Sequence, residues 1–200
     1  MNIFQAIINW FKRLFGFKDD VVPPIVAGVP ASWVFQYSPN TTISGNTFTF
    51  PSIDGAHYLV RSYSGSLVNG LEVTYKIDIT GTPVFDFHTN PNNDVPGTGT
   101  VTLYFQRRGD NLEYEHYRWF ATTDAKELAE GTHTITVPLD PSRWVSVYGK
   151  RGNTVLADWQ AAINDVGAVG MVFGGGYFAG HGVFVHEGTA TMTILDWKAT

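Results

Sequence analysis

The stretch Thr100–Ala121 carries the side chains whose types and spacing best suit a binding site. If the chain turns tightly at Gly109-Asp110, two strands pair as a hairpin. Six aromatic and polar side chains then share one face: Tyr104, Gln106, Glu113, Glu115, Tyr117 and Trp119. The C–H faces of a sugar stack on aromatic rings, and its hydroxyl groups need polar partners in fixed positions. This face therefore predicts a glycan-binding surface.

The sequence leaves the register of that hairpin open. A three-residue turn would instead pair Arg107 with Glu113 as a surface ion pair, and different residues would then share a face. Aromatic residues in strands also commonly belong to a hydrophobic core. A core position for the aromatic residues of this stretch is thus the competing interpretation.

Patterns typical of enzymes are weak in this chain. Glu113 and Glu115 resemble the carboxylate pair of a glycosidase, but any alternating strand can place two carboxylates at i and i+2. No G-x-S-x-G motif is present. The run Gly174-Gly175-Gly176 lacks the Lys-Ser/Thr of a phosphate-binding loop, so we interpret it as a tight connection where backbones approach closely. We expect a protein that is not an enzyme.

The potential metal ligands also lack a specific spacing. The chain has six histidines and no cysteine. Neither the H-E-x-x-H nor the H-x-H pattern occurs. We therefore expect no metal site and no cofactor, and we expect most histidines to be exposed or hydrogen-bonded.

Composition limits the remaining possibilities. The 200 residues suffice for one domain, and 44% hydrophobic against 16% charged residues indicates a folded chain. A net charge of −5 argues against a general nucleic-acid-binding protein. The high content of glycine and aromatic residues favours strands and turns over helices.

Most of the chain alternates between strand and turn patterns. Only one later helix is predicted, at Leu156–Ile163. Turns are predicted at Thr80-Gly81-Thr82 and in a long loop at Asn90–Gly99. The predicted strands are Trp33–Tyr37, Thr47–Phe50, His57–Arg61, Leu71–Ile79, Val84–His88, Thr100–Arg108, Leu112–Ala121, Gly131–Val137, Val169–Phe173 and Thr189–Trp197. About ten short strands at this spacing indicate an antiparallel sandwich or barrel.

The first 18 residues have a helical pattern of their own. Seven apolar side chains recur on one stripe: Ile3, Phe4, Ile7, Ile8, Phe11, Leu14 and Phe15. The segment is too short to span a bilayer, and Lys12 and Arg13 interrupt it. A stripe of this size predicts association with a second subunit or with a membrane surface, and the alternative is packing on the chain's own domain. Residues 19–32 are rich in proline and predict a linker.

The C-terminal half resembles jelly-roll domains of the carbohydrate-binding-module or galactose-binding-like kind. The resemblance is carried by the run GTHTITVPL at 131–139, by Trp144, by the short helix, by VGAVGMVFGGG at 166–176 and by GTATMTILD at 188–196. The runs PLDPSRWVSVYGK and VGMVFGGGYFAGHGV are also similar to a group of bacterial and phage proteins of this type. The resemblance spans roughly residues 70–200. It implies a jelly-roll fold. In calcium-bearing members an acidic residue near the end of the last strand is a common metal ligand, and Asp196 occupies that position, but the sequence identifies no partner for it on an early strand.

Together these patterns predict an all-β chain: an antiparallel jelly-roll β-sandwich at 33–200, preceded by an amphipathic helix and a linker. The first functional hypothesis is a non-catalytic glycan-binding module. The second is a structural or assembly protein of a virion or cell surface, associating through its N-terminal helix. Both place the protein outside the cell, at the cell surface or on a virion.

Overall fold

The computed structural model describes residues 32–90, 93–95, 98–110, 114–175 and 178–199. These residues form two antiparallel sheets and one α-helix, which confirms the expected β-rich architecture. The predicted helix at 1–18, with its seven apolar residues, and the linker at 19–31 lie outside the described residues.

The first sheet has seven strands in the order β1-β3-β11-β6-β7-β10, with β8 pairing on β6. Its strands are β1 (Trp33–Gln36), β3 (Tyr58–Gly65), β6 (Thr100–Arg107), β7 (Arg118–Phe120), β8 (Lys126–Glu127), β10 (Val145–Ser146) and β11 (Val166–Gly174). The central strand β11 pairs with β3 on one side and with β6 on the other.

The second sheet has five strands in the order β2-β12-β4-β5, with β9 pairing on β4. Its strands are β2 (Thr47–Thr49), β4 (Gly70–Asn90), β5 (Asn93–Val95), β9 (Gly131–Pro138) and β12 (Val183–Ala199). The two long strands β4 and β12 pair along almost their whole length and form the spine of this sheet.

The two sheets pack face to face around one hydrophobic core. Phe173 of the first sheet packs edge-on against Phe48 and Phe50, with ring centroids 5.7 and 5.5 Å apart. Leu103 and Ile77, one from each sheet, are fully buried in the same cluster. Burial of apolar side chains between two alternating strand faces is the dominant stabilising contribution in this arrangement.

The expected turn at Thr80-Gly81-Thr82 is wrong, because the chain runs straight on through β4. The register against β12 shifts at this point, between His186 and Gly188. Gly81 pairs with Gly188 beside the shift, and Gly81 and Glu187 have positive φ values of +80° and +58°. The glycine thus accommodates a β-bulge, which bends a strand without reversing it.

The one described helix, α1 (Leu156–Asn164), confirms the helix expected at this position. It buries Trp159, Ala162 and Ile163 against the core. Between residues 32 and 199, as far as they are described, no helix combines the length and apolar character needed to cross a membrane.

The start of the glycine run is structural, as expected. A Cβ atom on Gly174 would lie 2.0 Å from the carbonyl oxygen of Phe178, and one on Gly175 would lie 2.2 Å from the Phe87 ring. Both positions exclude any side chain because neighbouring atoms already occupy the space. Gly176 lies outside the described residues.

Candidate functional site

The hairpin predicted to carry the site has a different register from the one expected. Gln106 pairs with Arg118, Phe105 with Trp119 and Tyr104 with Phe120. The chain does turn at Gly109, but the return strand begins only at Arg118. The expected strand Leu112–Ala121 is therefore wrong for residues 114–117, and residues 111–113, including Glu113, lie outside the described part.

This register places Trp119 and Tyr104 on opposite faces of the sheet. Trp119 faces the core, where its ring lies 5.1 Å from that of Trp159, and its Nε1 donates to the His116 carbonyl at 2.9 Å. Tyr104 faces outward, packed between Tyr58 and Phe120. Both side chains are fully buried, so neither is available to a ligand. Tyr104 and Trp119 therefore do not share an exposed surface as the prediction required.

The outward face of the first sheet is itself closed over by loops. The Asp110 carboxylate is buried, with its Oδ2 atom 2.9 Å from Arg118 Nε and accepting from Gln106 Nε2 at 2.9 Å. A Cβ atom on Gly180 would lie 2.5 Å from the Tyr58 hydroxyl, so the segment around Gly180 covers this ring. Burial raises the pKa of the Tyr58 hydroxyl above its ordinary value. The hydrogen bond from Gln106 to Asp110 connects β6 to the turn at 107–110, so Gln106 has a structural role.

Two of the predicted residues lie on the surface of the loop at 114–117. Tyr117 stacks on Tyr114 with ring centroids 4.5 Å apart, and the Arg107 guanidinium lies 4.7 Å from the Tyr117 centroid. Tyr114 is 46% exposed, and Glu115 is exposed beside it. Tyr114 and Tyr117 thus form a partly exposed aromatic stack on this loop.

A cleft at one edge of the two sheets combines aromatic and polar side chains. It has a volume of about 460 Å³ and is lined by Ser32, Trp33, Gly45, Asn46, Arg61, Ile194, Leu195, Asp196 and Trp197. The Trp33 and Trp197 rings meet edge-to-face, with centroids 5.0 Å apart and an interplanar angle of 83°. We call this feature the tryptophan cleft.

Strand pairing assembles the tryptophan cleft from segments far apart in the chain. Trp33 of β1 lies directly opposite Arg61 of β3, which places the Arg61 guanidinium 5.9 Å from the centroid of the Trp33 ring. The register of β12 shifts between Ile194 and Asp196, so Leu195 is an extra residue in the strand and is exposed. A bulge of this kind re-aims the neighbouring side chains.

The turn at 44–47 contributes part of the cleft lining. Ser44 and Thr47 exchange two backbone hydrogen bonds, of 2.9 and 3.1 Å, across the turn. The Asn46 carbonyl oxygen accepts from the Ile194 amide at 2.9 Å. These bonds fix the turn against the last strand, so the Asn46 contribution to the lining is preformed.

Exposed charged side chains form a network of ion pairs at one side of the cleft. Lys198 Nζ lies 3.0 Å from Asp196 Oδ2 and 2.9 Å from Glu72 Oε1. The Lys198 hydrogen bond lowers the pKa of the Asp196 carboxyl, and a second one lowers the pKa of Glu72. Asp196 therefore stays ionised at neutral pH and can accept hydrogen bonds from a ligand.

The lining of the cleft suits a small polar ligand with apolar faces. The volume of the cleft lies within the range of about 300–1,000 Å³ that small-molecule sites occupy. The half-buried Trp197 ring provides apolar surface, whereas the Trp33 ring is only 6% exposed and belongs to the hydrophobic core behind it. Asn46, Arg61 and Asp196 provide hydrogen-bonding groups. Asp196 is the one carboxylate of the lining, whereas glycoside hydrolysis uses two.

Histidines and acidic residues do not converge on a metal site in the described part of the chain, where no group of three potential ligands occurs. His186 and Asp86 approach to 3.3 Å as a pair. The buried His57 ring lies between two carbonyl oxygens, Nδ1 at 2.9 Å from Gly180 and Nε2 at 2.6 Å from Asp54. Burial lowers the pKa of His57 below its ordinary value despite these contacts. His57 thus ties the segment around Gly180 to the turn at Asp54.

Sequence reasoning missed the tryptophan cleft. Asp196 was noted only for its place near the end of the last strand, yet its nearest charged neighbour is Lys198. Trp33 and Arg61 meet through strand pairing across 28 residues of sequence, for which no local pattern exists. The Asp-Trp-Lys run at 196–198 was the one local signal, since it puts an aromatic ring between two charges.

Comparisons with known proteins add no family to this description. No known protein family, no curated protein and no solved structure matches the chain.

Proposed function

We propose that this protein is a non-catalytic carbohydrate-binding domain with a jelly-roll β-sandwich fold, and that the tryptophan cleft is its ligand site. The observation that carries the proposal is the convergence of Trp33 and Trp197 with Arg61, Asn46 and Asp196 around one cleft. Sugars are bound by this combination of stacking surface and fixed polar partners. The two antiparallel sheets and the resemblance at 131–139, 166–176 and 188–196 support the fold assignment.

The site geometry supports binding without catalysis. Asp196 is paired with Lys198, which stabilises its ionised form, so it is a poor general acid. Among the described residues, no second carboxylate contributes to the lining. Retention of a sugar, with no turnover, is the expected activity.

A matched pair of aromatic substitutions tests the location of the site. Binding to a panel of oligosaccharides is measured for the wild type, for Trp197→Ala and for Tyr114→Ala. Trp197 lines the cleft, whereas Tyr114 is exposed on the loop at 114–117. We expect Trp197→Ala to abolish retention and Tyr114→Ala to leave it unchanged. The opposite pattern would move the site to the loop, and a wild type that binds no saccharide would refute the function.

The second candidate function is assembly, and the apolar stripe at 1–18 favours it. If residues 1–18 form the predicted helix, its seven large apolar side chains share one face and require a covering surface. Lys12, Arg13 and Lys18 would suit an anionic membrane, and the three phenylalanines would equally suit a groove on a second subunit. The full chain and a Phe11→Glu variant are compared by light scattering and by liposome flotation. A wild type that stays monomeric and ignores liposomes would exclude this function.

A further inference from the structure

The charges that line the tryptophan cleft indicate which class of sugar it would bind. The inference rests on the carbohydrate-binding function proposed above. Arg61 lies opposite Trp33, with its guanidinium 5.9 Å from the centroid of that ring. None of the ion pairs or side-chain hydrogen bonds found among the described residues includes the Arg61 guanidinium.

The other charges of the cleft are already compensated. Lys198 bridges Asp196 and Glu72, and Glu72 also accepts from the Thr136 hydroxyl at 2.9 Å. Asp196 further accepts from the Trp197 amide at 2.9 Å. Among the described residues, Arg61 is thus the charged group of the lining without a partner of opposite sign, whereas Asp196 is paired with Lys198.

The guanidinium group selects a particular ligand chemistry. Its planar fork of N–H donors matches a carboxylate with two parallel hydrogen bonds. Stacking on an aromatic face leaves the donors at its edge available to a ligand. A hydroxyl group would use only part of this donor set.

We propose that the tryptophan cleft binds a sugar residue carrying a carboxylate, such as a uronic acid. The carboxylate pairs with Arg61, the pyranose ring packs on the exposed face of Trp197, and the sugar hydroxyls donate to Asp196. Arg61 and Asp196 therefore recognise different features of the ligand, an anion at Arg61 and hydroxyl donors at Asp196.

The test compares acidic oligosaccharides with their neutral counterparts on the intact chain. The probes are oligogalacturonate and oligoglucuronate, each measured beside its carboxyl-reduced form by calorimetry and by NMR of the tryptophan indole N–H signals. We expect each acidic form to bind about tenfold more tightly than its reduced form, as for a charge-assisted bidentate pair. The difference should shrink as salt rises from about 0.02 M to about 0.3 M.

Variants of one residue assign that difference to its source. Arg61→Gln should remove the preference and leave the affinity for the neutral form unchanged, and Arg61→Lys should retain part of it. Lys126→Gln removes an equal charge from an exposed position on β8 and should change nothing. Circular dichroism and the melting temperature verify that each variant is folded, and Arg61→Lys serves alone if Arg61→Gln does not fold.

The outcomes separate the inference from the function on which it rests. If acidic and reduced forms bind equally and Trp197→Ala loses both, the carboxylate assignment is overturned and the carbohydrate function stands. If a sulfated oligosaccharide binds as tightly as the uronic form, the site reads charge without carboxylate geometry, and the assignment also fails. If neither form binds, the carbohydrate function fails together with the inference.

Discussion

The protein contains two groups of tryptophan rings with opposite surroundings. Trp119, Trp144 and Trp159 are packed together inside the core, with edge-to-face and tilted contacts at 5.1–6.0 Å. Trp33 and Trp197 make a similar edge-to-face contact at 5.0 Å beside Arg61 and Asp196, with Trp33 buried at the margin of the core and Trp197 only half-buried. We call Trp119, Trp144 and Trp159 the closed group, and Trp33 with Trp197 the open pair. Similar ring geometry lies wholly inside the core in the closed group and borders a cleft in the open pair.

The two groups differ in the polar atoms that surround their indole rings. In the closed group, Trp119 and Trp144 donate their indole N–H groups to the backbone carbonyls of His116 and Pro138, at 2.9 and 2.8 Å. A buried indole needs such a partner, and these bonds bind the rings to fixed backbone. In the open pair, the neighbours include the polar side chains of Arg61 and Asp196, which line the cleft.

The largest effect should come from emptying the closed group. Trp159 of α1 contacts Phe105, Trp119 and Trp144 and is almost fully buried. Trp159→Ala should lower the free energy of unfolding by about 3–5 kcal/mol, because it leaves a large cavity. Chemical denaturation measures the loss. Leu156→Ala, an exposed position on the same helix, is the control and should stay within about 0.5 kcal/mol of wild type.

A smaller loss is expected when a ring is kept but its hydrogen bond is removed. Trp119→Phe shortens the ring and deletes the donor to the His116 carbonyl. We expect a loss of about 1–3 kcal/mol from the smaller volume and the unpaired carbonyl together. The folded variant should still bind saccharide, because Trp119 is buried and does not line the tryptophan cleft. Lost binding with unchanged stability would contradict the core assignment of Trp119.

The open pair should show the reverse balance of stability and binding. Trp197 is half-buried, so Trp197→Ala should cost only about 1–2 kcal/mol, mostly the edge-to-face contact with Trp33 and the apolar area beside it. Thermal unfolding and saccharide binding are measured on the same preparation. A loss of stability as large as that of Trp159→Ala would show that the pair is a core feature, and the contrast between the two groups would disappear.

The smallest expected effect concerns pH and the charged groups beside the open pair. Lys198 holds the pKa values of Asp196 and Glu72 below their ordinary range. A carboxyl with a lowered folded-state pKa stabilises the fold above its unfolded pKa, and this contribution is lost as the pH falls through the folded value. The melting temperature should therefore fall slightly more for wild type than for Lys198→Gln between about pH 6 and pH 3. These groups are exposed, so added salt should abolish the difference.

Much of the strand content was predictable, because alternation and turn chemistry are local properties. The patterns around Thr100–Arg107, Gly131–Pro138 and Leu156–Asn164 predicted the two strands and the helix to within about one residue at each end. Gly81 misled the prediction because a glycine at positive φ serves both a turn and a bulge. Only the pairing partner, β12, distinguishes the two.

The candidate site was the least predictable part. The same alternation that identified a strand at 100–107 could not say which of its faces would meet the other sheet. A shift of one residue in register exchanges the buried and exposed faces. Tyr104 and Trp119 were predicted to share a surface, yet the observed pairing of Phe105 with Trp119 sends them to opposite faces.

The sequence alone determined that this chain builds antiparallel sheets with one internal helix, since side-chain periodicity and turn residues act over a few neighbours. Tertiary structure alone decided which aromatic residues became core and which lined a cleft. Trp33, Arg61 and Trp197 come together only when β1 pairs with β3 and the two sheets pack at that edge. Burial depends on the summed packing of distant strands, so a tryptophan's role follows from its partners across the sheets and not from its local sequence.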